Sequence, residues 1–447
     1  MLLFRYMVKK ILVFFLLLGC NLTYAETIKT DVLVIGNGAG AIAAAIQSGR
    51  SKVKTLLLLN GPWLEELSLQ NMTTLNEPAY APSGIWNEVD KELREYYRKT
   101  PGYDTLSRIL KFEPYAAGAA LKRMADSVKM LAYKVNVSYT AIEKDGTGWK
   151  LEVLIKGEKV TIKTKVLIDG TEDGEMIIKA HATLPPDIKT WLEKGAPTLY
   201  RTAIASGSYN ARSAAANYPS GPVYYIPLRA VTVNDADNLL TLNKTLFPTD
   251  ANNLTAKIAL GQGVGATAAF CAFFKTTAKK LDVRIIQIEL LDFKSSLLYF
   301  TDLDRGDRYY RAIQQIGVTG LLKGKQGNGG AESSDFEFSF MPDTAVVTAE
   351  IKPMLTEIYS RFFLWMDKEK PGEKFTVGNL LSLISEITLS DPDNFKIAMQ
   401  KAWKAEYKFK SDFDLKKPVT RREFAILANQ YINPFARAVD INGKMLN

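Results

Sequence analysis

Apolar residues at the front of the chain come in short unbroken runs and do not alternate with polar ones. Asp31 to Ile35 (DVLVI), Lys54 to Leu59 (KTLLLL) and Lys165 to Asp169 (KVLID) share this pattern, expected of strands buried on both faces. An Ala-rich helical stretch follows the first run at once, which predicts a β-α-β unit. Later the period changes. Asn87 to Arg98 is charged and helical in pattern, and Glu113 to Lys129 places Leu121, Met124 and Val128 on one helix face. Lys134 to Lys144, Trp149 to Lys156 and Lys159 to Thr164 read as strands, joined by turns at Asp145-Gly146 and Lys156-Gly157-Glu158, hence an antiparallel meander. Val223 to Ile226 and Asn238 to Leu242 add two strands, and Lys257 to Lys275 is a helix of small residues. Residues 61–88 and 181–222 hold breakers and yield no regular pattern, whereas residues 294–447 show helical spacing, as at Phe424, Leu427, Ala428 and Tyr431.

The first turn carries the clearest chemistry. Gly36-Asn37-Gly38-Ala39-Gly40-Ala41 reads as G-x-G-x-x-A between a strand and a helix. In such a turn Gly36 permits the tight reversal, Gly38 lets backbone approach a pyrophosphate, and Ala41 lets helix and strand pack closely. The helix N-terminus offers N–H groups and a positive dipole end to phosphate. The acid expected at the end of the second strand, for ribose hydroxyls, is replaced by Leu59 and Asn60; Asn60 accepts a hydrogen bond, but more weakly than a carboxylate. Gly170-Thr171-Glu172-Asp173-Gly174 is a second turn able to bring backbone near a nucleotide. Gly261, Gly263 and Gly265 cost a helix about 1 kcal/mol each relative to Ala, so that helix lies very close to a neighbouring element or to a flat ligand.

Length and composition narrow the classes. With 447 residues and 47% apolar content the chain suffices for two or three domains. Residues 1–25 read as an export signal: Arg5, Lys9 and Lys10 precede the apolar run Ile11 to Leu18, and cleavage is expected after Ala25, with lipid attachment at Cys20 as the alternative. The expected destination is the periplasm or cell envelope, and no later apolar run approaches the length expected of a bilayer span. Loss of the signal lowers the net charge from +9 to +6, a scattered excess unlike a nucleic-acid footprint. Only Cys271 and His181 then remain of their kinds, which argues against an internal disulfide, a zinc site and Ser-His-Asp hydrolysis.

From about Thr30 to Asp302 these pieces, in order, resemble the FAD-dependent oxidoreductases of exported bacterial proteins, in the broad glutathione-reductase-like class. The segments that carry the likeness are 31–50, Pro62-Trp63-Leu64, Ser83-Gly84-Ile85-Trp86, Phe112-Glu113-Pro114, 166–175, 224–240 and 259–269. The resemblance implies an α/β fold: a Rossmann-type FAD/NAD(P)-binding domain with a parallel central sheet and the meander over 26–293, then a mainly helical domain over 294–447. It also implies FAD held by Gly36, Gly38, Ala39, Gly40, Ala41 and Asn60, by Gly170 and Thr171, and by Gly261 and Gln262 beneath the isoalloxazine. Departures from the family pattern are Glu65-Glu66 in place of Gly-Gly, Tyr115 in place of a histidine, no Arg in 251–257, and a short 181–223 region. They point to weakened FAD binding and to reduced or lost catalysis; His181 and Tyr115 are the pocket candidates.

The tail resembles an S-layer homology repeat through Phe300-Thr301-Asp302, Tyr310 to Ile313, Gly317 to Gly320 and Phe340-x-Pro342-Asp343, with a weaker copy ending in Pro418 to Phe424. Such repeats are helical hairpins that can bind cell-wall polysaccharide, with Arg421 at the functional position and Thr348 there in the first copy. The alternative is a helical appendage packed on the flavin domain. Two functions follow: an FAD-dependent oxidoreductase acting on an organic substrate, or a non-catalytic envelope module binding polysaccharide.

Overall fold

The computed structural model describes residues 26–64, 73–76, 83–104, 109–188, 190–191, 197–208, 223–247, 254–326 and 338–446. β1 (Glu26–Ile35) pairs in parallel with β2 (Thr55–Leu58), and α1 (Ala39–Arg50) connects the two. After β3 (Thr73–Asn76), α2 (Gly84–Tyr97), β4 (Ile109–Phe112) and α3 (Pro114–Ser127), the chain returns to the sheet as β5 (Leu131–Lys134), parallel to β2. The meander follows as β6 (Val137–Asp145), β7 (Gly148–Ile155) and β8 (Glu158–Asp169).

β8 departs from the sequence reading, which placed separate strands at 159–164 and 165–169. It is one strand: its first half pairs antiparallel with β7, and its second half pairs parallel with β11 (Leu239–Thr241) along the same edge. Its other edge pairs with β1 throughout. No Gly or Pro separates Thr164 from Lys165, so nothing stops the strand. The sheet order is β5-β2-β1-β8-β7-β6, with β11 beside β8.

Side chains alternate across this sheet as the period of two requires. Val32, Val34, Val166 and Ile168 join the core beneath the helices. Leu33, Ile35, Leu56, Leu58 and Leu167 enter a second core with Trp149 and Leu151 of the meander and with Met176 and Ile177 of α4 (Glu175–Lys179). Strands β9 (Ala203–Ser208) and β10 (Val223–Pro227) form an antiparallel pair beside the helices.

α5 (Leu254–Phe274) is long and apolar enough to cross a membrane, but 72% of its most apolar stretch is buried, so it serves as a core helix against α1. α6 (Val283–Asp292) follows, and Asp282 caps it by accepting from Arg284 N.

The tail is helical: α7 (Tyr310–Thr319), α8 (Thr348–Ile358), α9 (Ser360–Glu369), α10 (Val377–Thr388), α11 (Pro392–Ala405) and α12 (Arg421–Tyr431). It contains three equivalent units, where the sequence suggested two. The segments leading into α8, α10 and α12 meet in a closed triangle of antiparallel bridges: Ala345 with Thr420, Val347 with Lys374, and Thr376 with Pro418. Thr376 and Thr420 each close a capping box, with Asn379 and Glu423 at the third helical position, where α8 carries Glu350.

The tail does not form a core of its own. Phe340, Phe362, Trp365 and Phe424 belong to the same continuous apolar core as Val34 and Leu260. Polar contacts run across the same junction. Arg201 donates to Glu357 and to the Gly443 carbonyl, Thr198 donates to the Asn442 carbonyl at 2.7 Å, and Val283 N donates to the Val439 carbonyl at 3.0 Å. Of the two readings of the tail, the packed appendage matches this arrangement. Arg421, expected as a polysaccharide contact, is only 1% exposed. Its guanidinium donates to the Phe340 and Lys323 carbonyls and to both Glu350 oxygens, each at 2.6 Å, so its donors are used inside the protein.

Candidate functional site

The chain reverses between β1 and α1 over Gly36, Asn37 and Gly38. Gly36 has φ +137°, and a Cβ there would lie 2.4 Å from the Gly170 carbonyl oxygen. Gly170 N donates to the Ile35 carbonyl at 2.7 Å, and a Cβ on Gly170 would meet the Ala41 methyl at 2.6 Å. Gly36, Ala41 and Gly170 are therefore the small residues that let two loops cross at the carboxyl ends of β1 and β8. That edge is where open α/β sheets bind ligands. Gly38 caps α1 with no side-chain hydrogen bond, and within Gly36–Ala41 it is the residue with part of its surface open. Ala39, Gly40 and Ala41 are buried, and Gly40 faces the Lys257 carbonyl at a Cβ distance of 3.2 Å.

Asn37, which sequence reasoning passed over, pins the next loop to this turn. Its Oδ1 accepts from Asn60 N at 2.9 Å and Gly61 N at 3.2 Å, its Nδ2 donates to Asn60 Oδ1, and its carbonyl accepts from Leu64 N at 3.0 Å. At the end of β2, Leu59 is fully buried and Asn60 is exposed, so Asn60 is the residue that reaches the ligand edge. Glu65 and Glu66 lie outside the described residues.

Beside Asn60 opens a cleft of about 450 Å³ lined also by Asn136, Val137, Ser138, Tyr139 and Glu175. That volume lies within the 300–1,000 Å³ common for small-molecule sites. The left-handed Asn136 (φ +56°) turns the chain from β5 into β6 and places these residues at the same edge as the glycine turn. None of the five was anticipated from sequence; the short gap between β5 and β6 was hidden inside one expected strand.

Asp169 organises the second loop. Fully buried, it accepts from Thr171 Oγ1 (2.6 Å), Thr171 N (3.1 Å), Met176 N (2.9 Å) and Ile177 N (3.0 Å), while Thr171 Oγ1 accepts from Glu175 N at 2.8 Å. Burial pushes the Asp169 carboxyl above the usual carboxylate range, and the hydrogen bonds from Thr171, Ile177 and Met176 pull against it. The loop from Gly170 to Gly174 is thereby held at the start of α4, with Glu175 at the cleft.

The α5 residues expected beneath a flavin are used otherwise. A Cβ at Gly261 would lie 2.1 Å from the Gly40 carbonyl oxygen, so this glycine serves helix contact. Gln262 is fully buried; its Oε1 accepts from Ile85 N at 3.1 Å and its Nε2 donates to Gln47 Oε1 at 2.9 Å. The pocket candidates are also on the outside: His181 is exposed, and Tyr115 is 63% exposed with its hydroxyl 3.3 Å from that of Tyr96. Cys271 is buried, which pushes its thiol up to about 12 and leaves it unreactive.

The model of the family described as "FAD dependent oxidoreductase" matches residues 31–185, from β1 through the glycine turn, the cleft and the Asp169 loop. Over these residues the chain is similar to FAD-dependent oxidoreductases. FAD is the cofactor. The chain is also 31% identical over 159 residues to a digeranylgeranylglycerophospholipid reductase of Methanocaldococcus jannaschii, covering 32% of this chain and 38% of that protein. It thus spans well under half the length of that curated relative. Among solved structures it is similar to the anhydrotetracycline hydroxylase OxyS of Streptomyces rimosus, at 12% identity and TM-score 0.32 over 66% of this chain and 73% of that one. It is also similar to a bacillithiol disulfide reductase of Bacillus cereus, at 14% identity and TM-score 0.30 over 54% and 99% of the two chains.

The matched part fits its cofactor unevenly. The crossing of Gly36 and Gly170, the partly open Gly38 and the polar cleft provide close backbone approach and hydroxyl-binding groups for an adenosine diphosphate half. On the flavin side, the α5 glycine and glutamine that the resemblance assigned to the ring are committed to α1 and α2.

Proposed function

We propose that this chain is an exported flavoprotein oxidoreductase, acting on an organic substrate with FAD held less tightly than in the family at large. The observation that carries the reading is the Gly36–Ala41–Gly170 crossing beside the Asn60 cleft, within the matched residues 31–185. In this reading Gly38 and the first turn of α1 receive the diphosphate, and Asn60, Ser138 and Glu175 receive the adenosine hydroxyls. Gly170 and Thr171 border the path toward the flavin end. Bound FAD supplies the two-electron acceptor; the chain binds and orients it. The relative's reductase activity on a lipid is no guide to the substrate here, because the match covers only 38% of that protein.

Purification without added flavin, followed by FAD titration monitored by flavin fluorescence, tests this reading. The expected result is substoichiometric flavin as isolated and saturable binding on addition. Asn60→Asp keeps the acceptor for Asn37 Nδ2 and supplies a charged acceptor to ribose, so it is expected to tighten FAD about tenfold, about 1.4 kcal/mol. Leu59→Glu places a carboxylate in a fully buried position and is expected to harm folding instead. A folded protein that binds no FAD at high concentration would falsify the proposal.

A further inference from the structure

The far end of the molecule carries an apolar surface that the cofactor chemistry does not use. α1 and α5 run side by side in the same direction, with Gly40 against Gly261 and Ala44 against Gly265. The glycine turn lies at the N-terminal end of α1, beside the first half of α5, so both C-terminal ends lie toward the opposite edge, where β1 enters the sheet at Glu26. α5 outruns α1 there and ends in a cluster of three rings: Phe270 and Phe274 have centroids 4.3 Å apart, Phe273 and Phe274 4.9 Å. Phe273 is 64% and Phe274 58% exposed. On α6, packed against α5, Ile285 and Ile288 lie one turn apart and are both exposed. Ser51, just past the end of α1, donates to Glu289 at 2.7 Å, which brings this part of α6 to the same edge. Lys275 and Lys280 stand exposed on the connection between the two helices.

We propose that this edge docks on an anionic phospholipid bilayer, with Phe273, Phe274, Ile285 and Ile288 entering the interface and Lys275 and Lys280 meeting lipid phosphates. Exposed aromatic and branched apolar side chains beside lysines are what an interfacial surface requires: apolar area for the acyl boundary and positive charge for the headgroups. A second copy of the chain fits less well. A twofold interface about this patch lays it on itself and brings Lys275 and Lys280 toward like charges. The segment 1–25, with its apolar run Ile11 to Leu18, also joins β1 at this edge, so a tether through it would turn the same face to the bilayer. Docked this way, the protein holds its cofactor turn on the side away from the lipid. The proposal does not depend on whether FAD is bound.

Vesicle flotation decides it, using the chain from Glu26 onward, which carries every element described. Vesicles of phosphatidylcholine with phosphatidylglycerol are compared with phosphatidylcholine alone. The expected result is binding to the anionic vesicles that weakens with salt, since such charges are screened beyond about 10 Å at 0.1 M. Phe273→Asp with Phe274→Asp is expected to lower partition at least about tenfold, and Phe273→Leu with Phe274→Leu to retain it. Lys275→Glu with Lys280→Glu is expected to abolish the preference for anionic lipid. The substituted side chains are on the surface, and near-UV circular dichroism verifies that each variant is folded. No binding of the unsubstituted protein to anionic vesicles overturns the proposal. So does equal binding by the folded Asp variant, or a dimer in sedimentation that the Asp variant dissolves in the absence of any vesicle binding.

Discussion

Gly261→Val should prevent the α/β part from reaching its native packing. A Cβ at 261 would lie 2.1 Å from the Gly40 carbonyl oxygen and 2.9 Å from its Cα, and both belong to backbone that cannot rotate away. One turn on, a Cβ at Gly265 would meet the Ala44 carbonyl oxygen at 2.3 Å. Relief requires α1 and α5 to move apart, breaking the Ser48–Gly265 hydrogen bond at 3.0 Å and the Gln262–Gln47 bond at 2.9 Å. Overpacking a core costs about 1–3 kcal/mol where side chains can adjust. Here rigid backbone is the obstacle, so a loss of about 3 kcal/mol or more is expected, a large share of the roughly 5–15 kcal/mol that holds a domain folded. Thermal unfolding and soluble yield measure it. Gly372→Ala, where a Cβ meets nothing within 4 Å, is the neutral control. The outcome also separates two roles for the glycines: a Gly261 variant that folds normally and only loses flavin would place the ring, and not α1, against them.

Arg421→Met should be the most damaging change in the tail. The substitution strands two oxygens of Glu350 and the Phe340 and Lys323 carbonyls at a site where the arginine itself is 1% exposed. Removing one partner of a buried ion pair costs about 3–5 kcal/mol. The lower end applies, because the Glu350 side chain keeps 22% of its surface in solvent. Arg421→Lys should not rescue, since an ammonium cannot serve three separated acceptors from one planar fork and loses the stack on Phe340, now 5.1 Å from the guanidinium carbon. Denaturant titration followed by the fluorescence of Trp365 and Trp403 reads the loss, and Glu350→Gln should have a smaller effect.

The elements that were legible in advance are those that carry a local sequence pattern, wherever their partners lie. The Asp31–Ile35 strand, the Gly36–Ala41 turn and α1 show in the sequence because burial on both faces and tight reversal leave few residue choices. What escaped depends on distant partners. The small residues of α5 suit a flat ligand and a close helix equally well, and only the arrival of Gly40 and Ala44 decides between them. Leu59 and Asn60 both stood where an acid was expected; the alternation of β2 turns the first inward and the second to the cleft. Asn136 to Tyr139 carry no motif and become cleft residues because β5 ends beside β2. In the tail, the middle unit Thr376-Val377-Gly378-Asn379 lacks the charged residues that marked the others, yet the bridges of its segment, Lys374 to Val347 and Thr376 to Pro418, complete the triangle.

The triangle bears on the order in which the protein can assemble. Its last side is made by residues 418–420, and residues 435–445 then reach back to Thr198, Arg201 and Asp282–Arg284 of the first domain. The N-terminal half therefore gains its last partners only from the far end of the tail: Arg201 waits for Gly443, and Val283 waits for Val439. The junction between the two parts is therefore completed only once residues 435–445 have been made.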